Sequence, residues 1–379
     1  MDAIVVGLGG MGSAAVSHLA ARGHRVTGID RFTPAHDRGS SHGRSRIIRQ
    51  AYFEGAEYVP LLLRAYELWQ ELERDTGTSL LTITGGLMIG TPESETFAGS
   101  VASARAHGLP HEILDANEIR RRFPPFHVTP ELVALYEPMA GFVDPERSIL
   151  AHLRHAARLG AELRFEEPLL SWEASPAGVR VTTTRATYEA ERLILATGPW
   201  APQVLSDLGL PLTIERQILF WFDPIGGVAP FHQDRFPIYI WELEDGLQFY
   251  GFPAQDGPPG GVKVAFFYHG EPCTPETIDR NVAPSEVDQM RSVIAGRIPA
   301  LNGPLLDAVT CMYTSTPDHD FILGLHPEHD NVVLASPCSG HGYKFASVIG
   351  EILADLAIEG TTRHAIGAFG LGRFTTPFI

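Results

Sequence analysis

At 379 residues the chain is long enough for two domains with substantial cores, and 44% hydrophobic with 20% charged content is ordinary globular composition. A net charge of −16 argues against nucleic acid or an anionic membrane as the main partner, and no apolar run approaches membrane-spanning length. Three cysteines, Cys273, Cys311 and Cys338, form neither a disulfide framework nor a zinc spacing and fit a reducing cytoplasm.

The first unit is a β-α-β pattern. Ala3–Gly7 reads as a buried strand, Met11–Arg22 as a helix and Arg25–Asp30 as a second strand. Between the first strand and the helix stands Gly7-Leu-Gly9-Gly-Met-Gly12, and Asp30 falls 18 residues beyond Gly12. This is a dinucleotide-binding fingerprint in its structural context. Gly7 makes the tight turn, Gly9 lets backbone approach a pyrophosphate, and Gly12 lets helix pack on strand. The helix N-terminus faces the phosphates, and Asp30, followed by Arg31, is placed for a ribose hydroxyl.

Helices are predicted over Tyr58–Asp75, Glu93–His107 and Pro145–Leu159, and strands over Ala161–Phe165, Val179–Thr184 and Leu193–Ala196. The last strand ends in Ala196-Thr-Gly198, a return to the cofactor that favours FAD over NAD. From Pro211 to Tyr268 the pattern changes to short β-rich runs with turns at Gly226-Gly227, Glu244–Gly246 and Pro258–Gly261, the signature of an antiparallel sheet. A strand follows at Asp307–Tyr313, after a helix at Pro284–Arg297. A buried strand at Asn331–Ala335 and a long helix at Tyr343–Ile358 close the chain. The expected fold is therefore α/β, with a discontinuous FAD-binding domain (1–85, 141–210 and 311–379) and an inserted antiparallel sheet domain for substrate (86–140 and 211–310).

Only two of the 29 basic residues are lysine, Lys263 and Lys344. A compact, pKa-adjustable ammonium is not interchangeable with a guanidinium fork. Lys263 lies in an apolar strand, and Lys344 follows Ser339-Gly340-His-Gly342 at a helix start. Arg46 and Arg49, three apart beside Ile47 and Ile48, would share a face on a helical turn and need an anion.

Three motifs carry a resemblance that covers essentially the whole chain. They are Gly39-Ser40-Ser-His42-Gly-Arg-Ser-Arg46-Ile-Ile-Arg49-Gln-Ala-Tyr52, Cys311-Met-Tyr313-Thr-Ser-Thr-Pro-Asp318, and Ser339-Gly340-His-Gly342-Tyr-Lys344-Phe. Together they resemble the monomeric sarcosine oxidase and N-methyltryptophan oxidase family. The resemblance implies a p-hydroxybenzoate-hydroxylase-like fold and FAD held covalently through Cys311 (8α-S-cysteinyl). It implies a cytoplasmic monomer that oxidises secondary N-methyl amino acids with O₂ to an amino acid, formaldehyde and hydrogen peroxide. It assigns Arg49 and Lys344 to the substrate carboxylate and Lys263 to the oxygen-reactive side of the flavin. Arg46 lies against the ring, Ser40, His42, Gly198, Gly340 and Gly342 contact the cofactor, and Tyr250 and Tyr313 line the pocket. The neighbouring alternatives are oxidation of glycine, cyclic imino acids or D-amino acids; a non-catalytic NAD-binding redox sensor is the alternative of another class.

The chain departs from the family at Phe267, where a pocket histidine is usual, with His269 two residues on as its possible replacement. It also has Arg44 and Ser45 where relatives often carry Asp and Thr. A more apolar pocket at Phe267 would admit bulkier N-alkyl groups.

Overall fold

Alternation along the first strand sets the layers around it. In Asp2–Val6, Ala3 and Val5 point into a core built on four helices, Gly10–Ala21, Val59–Thr76, Pro145–Arg158 and Ala346–Glu359. Ile4 and Val6 point the other way, onto Val179 and Val181 of an antiparallel meander formed by Leu169–Ser175, Gly178–Thr183 and Thr187–Ala190. With both faces covered, the strands need continuous apolar runs, as parallel strands do. The sheet between these layers has six strands in the order Ile322–Leu325, Val332–Ser336, Arg192–Leu195, Asp2–Val6, Arg25–Ile29 and Glu162–Arg164. All pair in parallel except the first, which is antiparallel. The computed structural model describes residues 1–257 and 259–374; Pro258, in one predicted turn, lies outside them.

The second sheet has nine strands. Its path runs Glu271–Pro272, Thr213–Phe222, Val262–Phe267, Gln248–Gly251, Ile238–Glu242, Gly86–Gly90, Val133–Glu137 and Glu112–Asp115, and Leu305–Ser315 also pairs with Thr213–Phe222. The sequence predicts an antiparallel sheet; one pair, Ile238–Glu242 with Gly86–Gly90, is parallel, because Gly86–Gly90 arrives from the other part of the chain. The strand carrying Cys311 keeps its pairing through Ser315, so the large sheet extends past residue 310. Behind this sheet lies a core of Phe126, Phe220, Phe222, Phe236, Trp241 and Phe249 with the helix Pro284–Arg297. A small sheet of Arg46–Ile48, Gly141–Val143 and Leu81–Ile83 bridges the two halves.

Most predicted elements appear with ends shifted by a residue or two. Two differences matter. Arg46 lies on a strand, not a helical turn, paired with Val143. The last helix begins as a single 3₁₀ turn, Tyr343–Phe345, before α-helix takes over at Ala346.

Candidate active site

The glycines of the fingerprint are where backbone must approach backbone. A Cβ on Gly12 would stand 1.7 Å from Gly7 O, and one on Gly7, at φ +89°, would stand 2.4 Å from Ala196 O. Gly9 is not so crowded, and faces Ser41 at 3.7 Å. These turns open onto a cleft of about 820 Å³ whose lining includes Gly7, Gly9, Asp30, Arg31, Ser40 and Gly198. Asp30 is buried, and its two oxygens accept from Leu8 N at 2.7 Å and Phe32 N at 2.8 Å. Burial raises its pKa against the pull of those two amides. Arg31 spreads over Phe32 and Trp200, at 5.1 and 4.9 Å. Cys338 lines the same cleft.

This cleft suits an FAD. Ser40 Oγ and Thr197 Oγ1 on its wall, and His42 Nε2 two residues on, are buried polar atoms without a hydrogen-bond partner among the described residues. Such orphans are costly unless a ligand satisfies them. Burial, reinforced by Arg46, holds His42 down at about 3, so its imidazole is neutral.

From the cleft the Ser40–Arg46 loop leads to the two sheets' junction. Arg46 donates to Ser40 O at 2.8 Å and stands 3.5 Å from Cys311 Sγ, which lies 3.6 Å from the same carbonyl. Lys263 projects from a central strand, Val262–Phe267, and is 1% exposed. Its amine donates to Gly43 O at 2.7 Å, Ser45 O at 2.8 Å and Ser45 Oγ at 3.2 Å, beneath the Phe252 ring at 4.7 Å. Burial, then the Arg46 charge, holds its pKa well below the ordinary lysine value.

Beyond Arg46 is a second, smaller cavity of about 60 Å³. Its lining includes Arg46, Arg49, Glu54, Tyr250, Phe267, Tyr313, Gly340 and Lys344. Arg46 and Arg49 both reach it because the strand ends at Ile48. Arg49, 1% exposed, is ion-paired with Glu54, donates to Ala51 O at 2.8 Å, and stacks on Tyr52 and Phe53. Burial pushes the Glu54 carboxyl up, but Arg49, His341 and Lys344 hold it below the ordinary value. Lys344 Nζ donates to His341 O at 2.6 Å and Tyr52 OH at 3.3 Å. Burial, then Arg49, brings its pKa down to about 7. Tyr52 OH in turn meets His341 Nδ1, whose other nitrogen bonds His319 O at 2.9 Å.

Tyr250 and Tyr313 hydroxyls stand 3.5 Å apart, and Phe267 meets both rings edge-on at 6.4 and 6.1 Å. Gly340, at φ +73°, makes room for this wall: a Cβ there would stand 2.8 Å from Tyr313. Gly342 packs where a Cβ would meet Pro337 O at 1.7 Å. His269 does not replace the missing histidine. It is exposed, 2.6 Å from Gln289 on the helix behind the sheet, because the strand ends at Phe267 and Tyr268, at φ +51°, turns the chain before residue 269. Phe267 forms part of the wall of the 60 Å³ cavity.

The structure thus divides most predicted residues between a cleft and a smaller cavity, linked by the Arg46 bond to Ser40 O, whereas Gly12, His42, Lys263, Cys311 and Gly342 line neither. Sequence reasoning missed Glu54, Ile47, Ile240 and His341 in the cavity wall and gave Tyr52 no role. A lone glutamate in a short loop carries no signal until Arg49 is seen folding back onto it.

The sequence matches the FAD dependent oxidoreductase (DAO) family over residues 2–356. It is 57% identical to a monomeric sarcosine oxidase of Streptomyces avermitilis, over 97% of this chain and 96% of that one. It is 39% identical to a monomeric sarcosine oxidase of Bacillus sp. (98% and 96%). It is 34% identical to an N-methyl-L-tryptophan oxidase of Yersinia pestis (98% and 99%). Among solved structures, NikD, an unusual amino acid oxidase, superposes with a TM-score of 0.83 at 26% identity, covering 97% of this chain and 96% of that one. Fingerprint, cleft, orphaned polar atoms and relatives agree: the chain belongs to the FAD dependent oxidoreductase family, in the group that holds the monomeric sarcosine oxidases and N-methyl-L-tryptophan oxidases.

Proposed function

We propose that the protein oxidises sarcosine or another small N-methyl amino acid with O₂, releasing the demethylated amino acid, formaldehyde and hydrogen peroxide. The observation that carries this reading is the pairing of Arg49 and Lys344, both buried, at a cavity that Arg46, Glu54 and His341 share with the walls of Tyr250, Phe267 and Tyr313. Arg46, Arg49 and Lys344 set against the one carboxylate of Glu54 leave the cavity net positive, which selects a carboxylate. Arg49 meets the substrate by turning from Glu54, and Lys344 offers the N–H that its two protein acceptors leave over. The aromatic walls exclude water and leave room for a few heavy atoms, which favours a short side chain and a single N-methyl group.

Bound FAD supplies the two-electron acceptor and passes the electrons to O₂. Gly7, Gly9 and Gly12 would hold its pyrophosphate, Asp30 and Arg31 the adenosine end, and Ser40, His42, Gly198, Gly340 and Gly342 the stretch towards the ring. Cys311 is the proposed attachment point, with the Arg46 guanidinium 3.5 Å from its Sγ. Lys263, on its separate anchor, is assigned to the oxygen reaction. The relatives' name favours a monomer. A peroxide assay across secondary amino acids of increasing N-alkyl and side-chain size tests the reading. Sarcosine should turn over best; turnover confined to large or cyclic substrates would overturn it.

A further inference from the structure

A buried lysine held by peptide carbonyls takes its position from the loop that carries them. Two of the three acceptors of Lys263 are the carbonyls of Gly43 and Ser45. That loop is not relaxed. Gly43 sits at φ +93° and Arg44 at φ +69°, a region that non-glycine residues rarely adopt. Its amides are clamped by a carboxylate from another element. Glu146 Oε1 accepts from Gly43 N at 2.7 Å, and both Glu146 oxygens accept from Arg44 N, at 3.2 and 3.1 Å.

Glu146 occupies the first turn of the helix Pro145–Arg158, where an acidic residue ordinarily serves its own helix. Here Asp144 caps that helix, accepting from Arg147 N at 2.8 Å. The Arg44 guanidinium gives Glu146 no ion pair, turning instead to the carbonyls of Asp256 and Gly257. The carboxylate is thus committed to the loop. The helix start is itself fixed, since Tyr343 OH donates to Pro145 O at 2.8 Å and meets Ser148 Oγ at 2.7 Å.

We propose that Glu146 is a positioning residue for the oxygen reaction: by holding the Gly43 and Arg44 amides it fixes the carbonyls on which Lys263 rests. This rests on the reading that Lys263 serves that reaction. A purely structural role for Glu146 would change helix stability and leave Lys263 in place.

The presence of only two lysines makes the test direct. Holoenzyme labelled with ¹³C-lysine gives two sets of ε-methylene signals, assigned with Lys263→Met. In Glu146→Gln the remaining oxygen can still accept from Gly43 N, but an amide N–H₂ replaces the oxygen that accepts from Arg44 N at 3.1 Å, and the charge that clamps the loop is lost. The Lys263 signal should move while that of Lys344 stays. Reoxidation of reduced enzyme by O₂ should slow roughly 10-fold, with anaerobic reduction by sarcosine within about twofold of wild type. Should Glu146→Gln fold poorly, Glu146→Asp, which withdraws the carboxylate by one methylene, reads the same signals. An unmoved Lys263 signal, or equal slowing of both half-reactions, overturns the proposal. If Lys263→Met leaves reoxidation at the wild-type rate, the oxygen-site reading fails instead, whatever the Glu146 variants do to the spectrum.

Discussion

The two lysines differ in what holds them, and that difference predicts different defects. Lys263 lies on a central strand with its amine on the Gly43–Ser45 loop, whereas Lys344 faces the Arg49–Glu54 pair. Lys263→Met should therefore slow reoxidation far more than reduction. Lys344→Met should mainly raise KM, and stopped-flow measurement of each half-reaction separates the two. Lys344 also carries a pH signature. With its pKa near 7 in the free enzyme, it is an ammonium below that pH and a neutral amine above it. A short-chain monocarboxylate inhibitor should bind more weakly as pH rises through about 7, and Lys344→Met should flatten that dependence. The rarity of lysine made both residues legible in the sequence. Tyr52 was not, because its partner Lys344 lies 292 residues away, and Glu54 and His341 were not, because only the local chain path turns them onto Arg49 and Lys344.

Among elements, the helices Gly10–Ala21 and Ala346–Glu359 pack closely where Gly350 meets Ala14. A Cβ on Gly350 would stand 2.5 Å from Ala14 Cβ and 2.6 Å from its carbonyl carbon. Gly350→Val has to push two helices apart and should cost about 1–3 kcal/mol, read as a lower urea midpoint with an unchanged slope. The same helix layer buries two histidines as neutral rings. Burial lowers His18 to about 4, against the pull of Glu351, and lowers His152 well below the ordinary value. Unfolded histidines take up protons near 6.5, which these two resist in the native state. Their contribution to stability is full above that pH and lost progressively as pH falls towards about 4. Thermal denaturation should track this, and His152→Leu should reduce the slope of Tm against pH below 6.5. Helices of this layer were legible because each runs three or more turns, apolar on one face in Val59–Thr76 and Pro145–Arg158 and nearly all round in Gly10–Ala21 and Ala346–Glu359. The strand at Arg46–Ile48 was not: three residues are too few to show a period, and a spacing of three fits either element.

For the whole molecule, a cofactor lying in the cleft and linked at Cys311 would be a joint between two sheets. The cleft belongs to the parallel sheet, while Cys311 sits on Leu305–Ser315, paired with Thr213–Phe222 in the other. A thioether at Cys311 would tie one half to a ligand held by the other. Cys311→Ala should keep the fold but release yellow flavin on acid precipitation, and its Tm should then depend on added FAD. Free flavin released from the wild type would remove the linkage. The α/β ends of the chain were legible because strand and helix alternate locally. The parallel pairing of Gly86–Gly90 with Ile238–Glu242 was not, since no local pattern records a partner so distant in sequence.

Lysine burial has a further consequence. With Lys263 and Lys344 at 1% and 5% exposure, no described lysine is on the surface. Formaldehyde, the proposed product, condenses readily with primary amines, and an enzyme that generates it at every turnover is the first protein to meet it. A coat whose cations are arginine and histidine offers that electrophile few fast targets, so crosslinking into aggregates during prolonged turnover has little to build on.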